Sequence, residues 1–312
     1  MSSTAAVPAA PASSVRRPFG SVLTAMVTPF TAAGDLDLDG AQALAAHLVA
    51  TGHDGIVVSG TTGESPTTSD TEKDALLRAV LDAVGEQATI VAGVGTNDTR
   101  HTIELAEAAA KAGAHGLLVV TPYYNKPPAE SLVAHFTAVA DATDLPCMLY
   151  DIPGRAGVRI TTPVLRRLAD HPRITAVKDA TGDLVAGMEV MASTDLAYYC
   201  GDDALNLPWL SVGAVGVVSV VGHVAGARHA ALVAAVDAGD LATARQINAG
   251  LIGLTQAIMS PASQGAIRSK AAMELLGVIG SRATRLPLLA ASSAEVDVVR
   301  QALTTAGMVP SS

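Results

Sequence analysis

Aromatic side chains are scarce in this sequence: one Trp, five Tyr and three Phe in 312 residues. Its interior must therefore be built from Ala, Val, Leu and Gly, which suits closely packed helices and strands better than a loop-rich scaffold. Cysteine is scarcer still. Cys147 and Cys200 each lie in or beside an apolar, strand-like run, so they read as two buried thiols in a reduced protein, with one disulfide as the alternative. Positive charge is also short. Twenty Lys and Arg face 29 Asp and Glu, and a net charge of −9 offers no basic footprint for nucleic acid or an anionic membrane. No window holds enough consecutive apolar residues to span a bilayer. There is no Cys-x-x-Cys, no His-x-x-x-His pair on a helix and no phosphate loop, so metal binding has little support. The histidines (His47, His53, His101, His115, His135, His171, His223 and His229) are scattered and read as surface or supporting residues.

Residues 1–18 are rich in Ala, Pro and Ser without an amphipathic period and read as a disordered leader. Arg16 and Arg17 follow its apolar stretch instead of preceding it, the wrong order for a secretory signal, so the expected location is cytoplasmic. From Phe19 onward one unit recurs: a short apolar run, a turn, then a longer amphipathic segment. The apolar runs are 21–27, 54–59, 89–94, 116–120, 145–150, 174–178, 196–200 and 214–220. Helical spacing covers 39–51, 70–84, 99–112, 129–141, 162–170, 182–192, 203–211 and 224–238. Short buried strands alternating with helices predict parallel pairing, and eight units within about 250 residues predict a closed (β/α)8 TIM barrel over 19–239. An open doubly wound sheet is the structural alternative. No Gly-x-Gly-x-x-Gly follows the first strand, which counts against dinucleotide binding. After residue 240 the alternation stops. Segments 240–259, 263–277 and 293–306 look helical, so 240–312 reads as a C-terminal helical extension packed on the barrel or a neighbouring subunit, with no evident chemistry of its own.

In such a barrel the site lies at the carboxyl ends of the strands. The sixth run, Ile-Thr-Ala-Val-Lys178-Asp, ends on a lysine. The other lysines, Lys73, Lys111, Lys126 and Lys270, sit in polar or helical surroundings where an ammonium can reach water. Desolvation of Lys178 would favour the neutral amine, the form that attacks a carbonyl. Taken alone, the peptide also admits a lysine that snorkels to solvent or pairs with Asp179. After the second run comes Gly60-Thr61-Thr62-Gly63-Glu64-Ser65, able either to hold a carboxylate or to serve as a tight turn before a helix capped by Ser69 or Asp70. Tyr123-Tyr124-Asn125 follows the fourth run, and either a proton donor or interface padding fits it. Tyr150-Asp-Ile-Pro-Gly-Arg155 follows the fifth, pairing a phenol with a guanidinium suited to a carboxylate, unless Arg155 is a plain surface arginine. Gly201-Asp202-Asp203 follows the seventh, where both aspartates read as helix caps.

Together these motifs resemble, in order and spacing, the series of the dihydrodipicolinate synthase family, from about Phe19 into the helical tail. The wider group of pyruvate-dependent aldolases, including N-acetylneuraminate lyase, is similar in the lysine and in the fifth-strand tyrosine. Arg155 favours the synthase. The resemblance implies a Schiff-base condensation of pyruvate with L-aspartate 4-semialdehyde on the diaminopimelate route to lysine. Lys178 would form the iminium and Thr61, Tyr124 and Tyr150 would relay protons. Thr62 would hold the pyruvate carboxylate with Thr61, Gly201 and Val218 would line the pocket, and Arg155 would grip the semialdehyde. The lysine itself is the electron sink, so no cofactor is expected. The family also implies a homotetramer, a dimer of dimers, with Tyr124 crossing an interface.

Some family members bind lysine as an inhibitor at positions aligning with Ser65, Asp70, Lys73, Asn97, His101 and Tyr123. Here Asp70 stands where histidine is usual and His101 where glutamate is usual, while Lys73 adds a cation beside a cationic ligand. Weak or absent lysine inhibition is expected. Two other readings share the motifs: an aldolase for a 2-keto-3-deoxy sugar acid, and a barrel that senses a keto acid without turnover.

Overall fold

The computed structural model describes residues 16–261 and 263–310. Eight strands form the centre: β1 (Val22–Ala25), β2 (Gly55–Val58), β3 (Thr89–Gly93), β4 (Gly116–Val120), β5 (Cys147–Asp151), β6 (Ile174–Asp179), β7 (Ala197–Cys200) and β8 (Gly216–Ser219). All pair in parallel with their sequence neighbours, and β8 returns to β1, closing the (β/α)8 barrel. The strands are short and almost wholly buried because side chains fill one face and helices cover the other.

Alternation along the strands sets which residues enter the barrel. Leu23 and Ala25, Met148 and Tyr150, Ala176, Ala197 and Tyr199, and Val218 form one interior cluster with Val57, Val91 and Leu118. Period two from Ala176 carries Lys178 to the same side. The interior is closed at the amino-terminal end by Phe19 and Tyr199, whose rings meet edge to face at 6.3 Å. The Tyr199 hydroxyl donates to the Gly20 carbonyl at 3.0 Å, so two of the few aromatics serve as a plug at this end.

The outer layer comprises α1 (Leu38–Ala50), α2 (Asp70–Val84), α3 (Thr99–Ala112), α4 (Ala129–Asp141), α5 (Pro153–Ala156), α6 (Thr162–Leu168), α7 (Leu184–Ser193), α8 (Asn206–Ser211) and α9 (Gly222–Asp237). Ser69 caps α2 in a reciprocal box with Glu72. Beyond the barrel, α10 (Leu241–Ile258) packs on α9, and α11 (Gly265–Leu275) and α12 (Ser293–Thr305) complete the tail.

Several expectations need correction. Residues 1–15 of the expected leader lie outside the described residues, but Arg17 is anchored. Its Nε donates to the Val215 carbonyl at 2.7 Å and its guanidinium pairs with Asp237 at 2.7 Å. The helix expected over 203–211 is a 3-10 turn (Asp203–Leu205) followed by α8. Asp202 caps that turn, whereas Asp203 is buried and accepts from the Ser219 hydroxyl and from the Val220 and Val221 amides. It therefore staples the exit of β8 to that of β7. Four histidines, His53, His135, His223 and His229, are buried. Lys270 does not reach water; it is 0% exposed. Cys147 and Cys200 are free, buried thiols. Among the described residues no helix is long and apolar enough to cross a membrane.

Candidate active site

Register brings the chemistry together. Tyr150 on β5 pairs with Lys178 on β6, so the two side chains emerge next to each other at the carboxyl end of the barrel. The Lys178 Nζ stands 4.1 Å from the centroid of the Tyr150 ring. Both line a cavity of about 250 Å³, together with Thr61, Thr62, Arg155 and Gly201. A Cβ on Gly201 would lie 3.0 Å from Lys178 Cγ and 3.1 Å from its Cε, so the missing side chain leaves room for the lysine stem. Thr61 and Thr62 arrive on the turn after β2. Arg155 is on the single-turn helix α5, which begins at the proline of Tyr-Asp-Ile-Pro, where a missing N–H costs nothing.

Lys178 is 4% exposed, and burial pushes its amine down to about 8, against the opposing pull of the Asp203 carboxylate. A substantial neutral fraction near physiological pH is the condition for attack on a carbonyl. Tyr150 is driven the other way, up to about 12 by burial, while the Arg155 charge and a hydrogen bond with Thr61 partly offset that rise. It stays a phenol, able to donate a proton through Thr61. Arg155 donates to the Gln264 Oε1 at 2.7 Å, so its guanidinium is aimed by a residue of the tail.

The structure thus gathers six of the eight expected residues around one cavity. Tyr124 is not among them. It lines an adjoining cavity of about 350 Å³ that also borders Thr61, Tyr150 and Arg155, and it is 87% exposed. Its backbone is left-handed, with φ 72°, which a tyrosine adopts only under restraint. Val218 is the other departure: it sits fully buried in the interior cluster, and Val220, two residues on, lines the cavity.

The tail is not chemically silent. Met259, Gln264, Gly265, Pro287 and Leu288 form the cavity wall opposite the strands. Lys270 pairs with Glu64 of the Thr61–Thr62 turn. The pattern Ala-Ile-Arg-Ser-Lys-Ala-Ala-Met held a signal for this. A helix with apolar or small residues on every side is a buried helix, so a lysine within it must have a partner.

At the positions aligned with a lysine effector site, Asp70 is taken up internally. Its carboxylate bonds His101 Nε2 at 2.8 Å and lies 3.8 Å from Lys73 Nζ. Asn125 donates to the Asn97 carbonyl at 2.7 Å. Among the described residues, no three His, Cys, Asp or Glu side chains converge to ligate a metal.

A closed parallel barrel with a buried lysine, its amine lowered by desolvation, beside a phenol at its carboxyl end defines a Schiff-base enzyme of the class I aldolase type. The chain belongs to the dihydrodipicolinate synthase family, whose model, described as the dihydrodipicolinate synthetase family, matches residues 18–306. It is 63% identical over 304 residues to the 4-hydroxy-tetrahydrodipicolinate synthase of Kineococcus radiotolerans, covering 97% of this chain and 98% of that one. The dihydrodipicolinate synthase of Cyanidioschyzon merolae, solved with lysine bound, superposes with a TM-score of 0.91 at 42% identity, over 94% of this chain and 100% of that one. The chloride-inhibited enzyme of Acinetobacter baumannii in complex with pyruvate gives 0.89 at 34% identity, over 94% and 100% of the two chains.

Proposed function

We propose that this chain is a 4-hydroxy-tetrahydrodipicolinate synthase that condenses pyruvate with L-aspartate 4-semialdehyde on Lys178. The observation that carries the reading is the buried Lys178 amine, facing the cavity 4.1 Å above the Tyr150 ring. The neutral amine attacks the ketone carbon of pyruvate. The carbinolamine loses water to an iminium, with Tyr150 supplying a proton to the departing hydroxyl. Loss of a methyl proton gives the enamine, whose carbon adds to the aldehyde carbon of the second substrate while the aldehyde oxygen takes up a proton. The substrate amine then attacks the iminium carbon, closing the ring and releasing Lys178. One water leaves overall, and no redox partner is needed.

In this reading Thr61 and Thr62 hold the pyruvate carboxylate and Arg155, aimed by Gln264, holds that of the semialdehyde. The barrel, 19–239, carries the chemistry and the helices of 240–312 close one side of the cavity. Thr61 and Tyr124 are both exposed in a single chain although they belong to the relay. That favours a neighbouring subunit whose tyrosine enters the cavity bordered by Thr61 and Tyr150, and the family resemblance extends this to a homotetramer built as a dimer of dimers. Both substrates are small, charged and water-soluble, which favours a cytoplasmic setting.

Borohydride reduction in the presence of pyruvate, followed by peptide mapping, tests the assignment. Label on Lys178, abolished in Lys178→Ala, is the expected result; label elsewhere, or none, refutes it. Arg155→Ala should raise the KM for the semialdehyde by roughly ten- to a hundredfold, the loss of a charge-assisted contact, with pyruvate trapping retained.

A further inference from the structure

Lys270 on α11 and Glu64 on the turn after β2 form an ion pair whose side chains are 0% and 1% exposed. Desolvation offsets most of the attraction in such a pair, so stability alone does not account for it. Its surroundings suggest a positional role. The second Glu64 oxygen accepts from the Arg285 amide at 3.0 Å, and Lys270 also donates to the Ala283 carbonyl at 2.8 Å. Lys270 and Arg285 both lie on the Phe30 ring, at 4.1 and 4.3 Å. The Arg285 guanidinium continues to the Thr67 carbonyl at 3.0 Å and to the Glu72 carboxylate. Both ends of the 64–72 segment are therefore tied to the tail. Ser59 and Glu64 bracket the Thr61–Thr62 turn and each has a φ of 54°, a left-handed backbone that a non-glycine residue keeps only when its surroundings hold it.

We propose that Glu64 and Lys270 are positioning residues for the reaction: the tail, through this pair, sets the Thr61–Thr62 turn at the distance from Lys178 that the pyruvate carboxylate requires. The inference rests on the assignment of those threonines to pyruvate. Two variants, Glu64→Gln and the charge-free pair Glu64→Gln/Lys270→Met, are assayed for steady-state kinetics and for the pyruvate concentration that half-saturates borohydride trapping. Both should raise the pyruvate values about tenfold, the equivalent of one charge-assisted hydrogen bond, and leave the KM for the semialdehyde within about twofold. The double variant should recover thermal stability relative to Glu64→Gln, in which Lys270 stays buried without its partner charge. Folded variants with unchanged pyruvate values and only a lowered kcat overturn the proposal, since a merely structural pair reduces the active fraction without shifting saturation. If neither folds, Arg285→Gln, which cuts the side-chain bonds from the tail to Thr67 and Glu72 at the other end of the same segment, reads out the tail's hold on the turn by the same criteria. Thr62→Val serves as the control. If it leaves pyruvate saturation unmoved, the threonine assignment fails; if it moves saturation and the Glu64 and Lys270 variants do not, only the positioning role fails.

Discussion

Two buried lysines in one chain face different fates because of what surrounds each amine. Burial lowers both, but the Lys270 donors are committed to Glu64 and the Ala283 carbonyl, while Lys178 faces an open cavity. A lysine ending an apolar strand is readable from sequence, because period two fixes the side it takes. A lysine on a helix is not, until the helix is seen to be buried all round. Asp203 is a similar case: as one of two adjacent aspartates before a helix it reads as a cap, yet its carboxylate is the largest electrostatic pull keeping Lys178 protonated. A kinetic consequence follows for the amine. The rate of pyruvate trapping at a fixed subsaturating concentration should rise with pH as the ammonium is lost, with an inflection near the value of about 8 that burial imposes on Lys178. In Asp203→Asn the ammonium loses the largest charge that favours it, so the inflection should move to lower pH. A rate that is flat from pH 6 to about 9, or an inflection moving upward in the variant, would show that another group limits attack.

The strands and most helices were legible because local signals agree with the barrel: short apolar runs end at turns, and Ser69 and Asp98 cap α2 and α3 where helical spacing begins. The single turn α5 escaped, being too short to show a period. The tail's part in the cavity escaped for another reason, since Lys270 and Glu64 lie 206 residues apart and no local pattern joins them. Between α2 and α3, charge should decide the response to lysine. The Asp70 carboxylate, an otherwise natural partner for an ammonium, already bonds His101 and lies near Lys73, whose own ammonium is partly desolvated. A lysine ligand would meet a like charge and find no free carboxylate among these residues. Millimolar L-lysine should therefore leave the initial rate nearly unchanged. Replacing Asp70 by histidine and His101 by glutamate, the residues usual at those positions, together with Lys73→Ala, should introduce inhibition if the Lys73 charge and the missing carboxylate are what exclude the ligand. Strong inhibition of the unmodified chain at micromolar lysine would contradict this account.

At the scale of the whole molecule, buried histidines control behaviour in acid. Burial pushes His53, His135 and His223 down to about 4 and lowers His229 as well, all from an ordinary value of 6.5. Between those limits the unfolded chain binds protons that the folded chain refuses, so stability falls as pH drops through this window, by about 1.4 kcal/mol per pH unit for each of His53, His135 and His223, with His229 acting in the same direction. Two buried carboxyls oppose this. Asp151 is raised to about 7, chiefly by burial, and Asp179 is raised too, so the folded chain takes up those protons first. Four groups against two leave a net loss, and unfolding free energy measured in urea should decrease from pH 7 to 5. His135 offers a clean test because it lies on α4, packed edge to face on Phe136 and away from the cavity, and among the described residues its Nε2 has no partner and its Nδ1 bonds Thr99 alone. His135→Leu removes one refused proton without touching the site. It should reduce the pH dependence by about 1.4 kcal/mol per pH unit below 6.5, and leave pyruvate trapping at pH 8 as it was. An unchanged dependence would mean that the acid response originates elsewhere, as in subunit contacts, and not in Glu72 and Glu295, whose values, depressed to about 2, withdraw stability only below about pH 4.5.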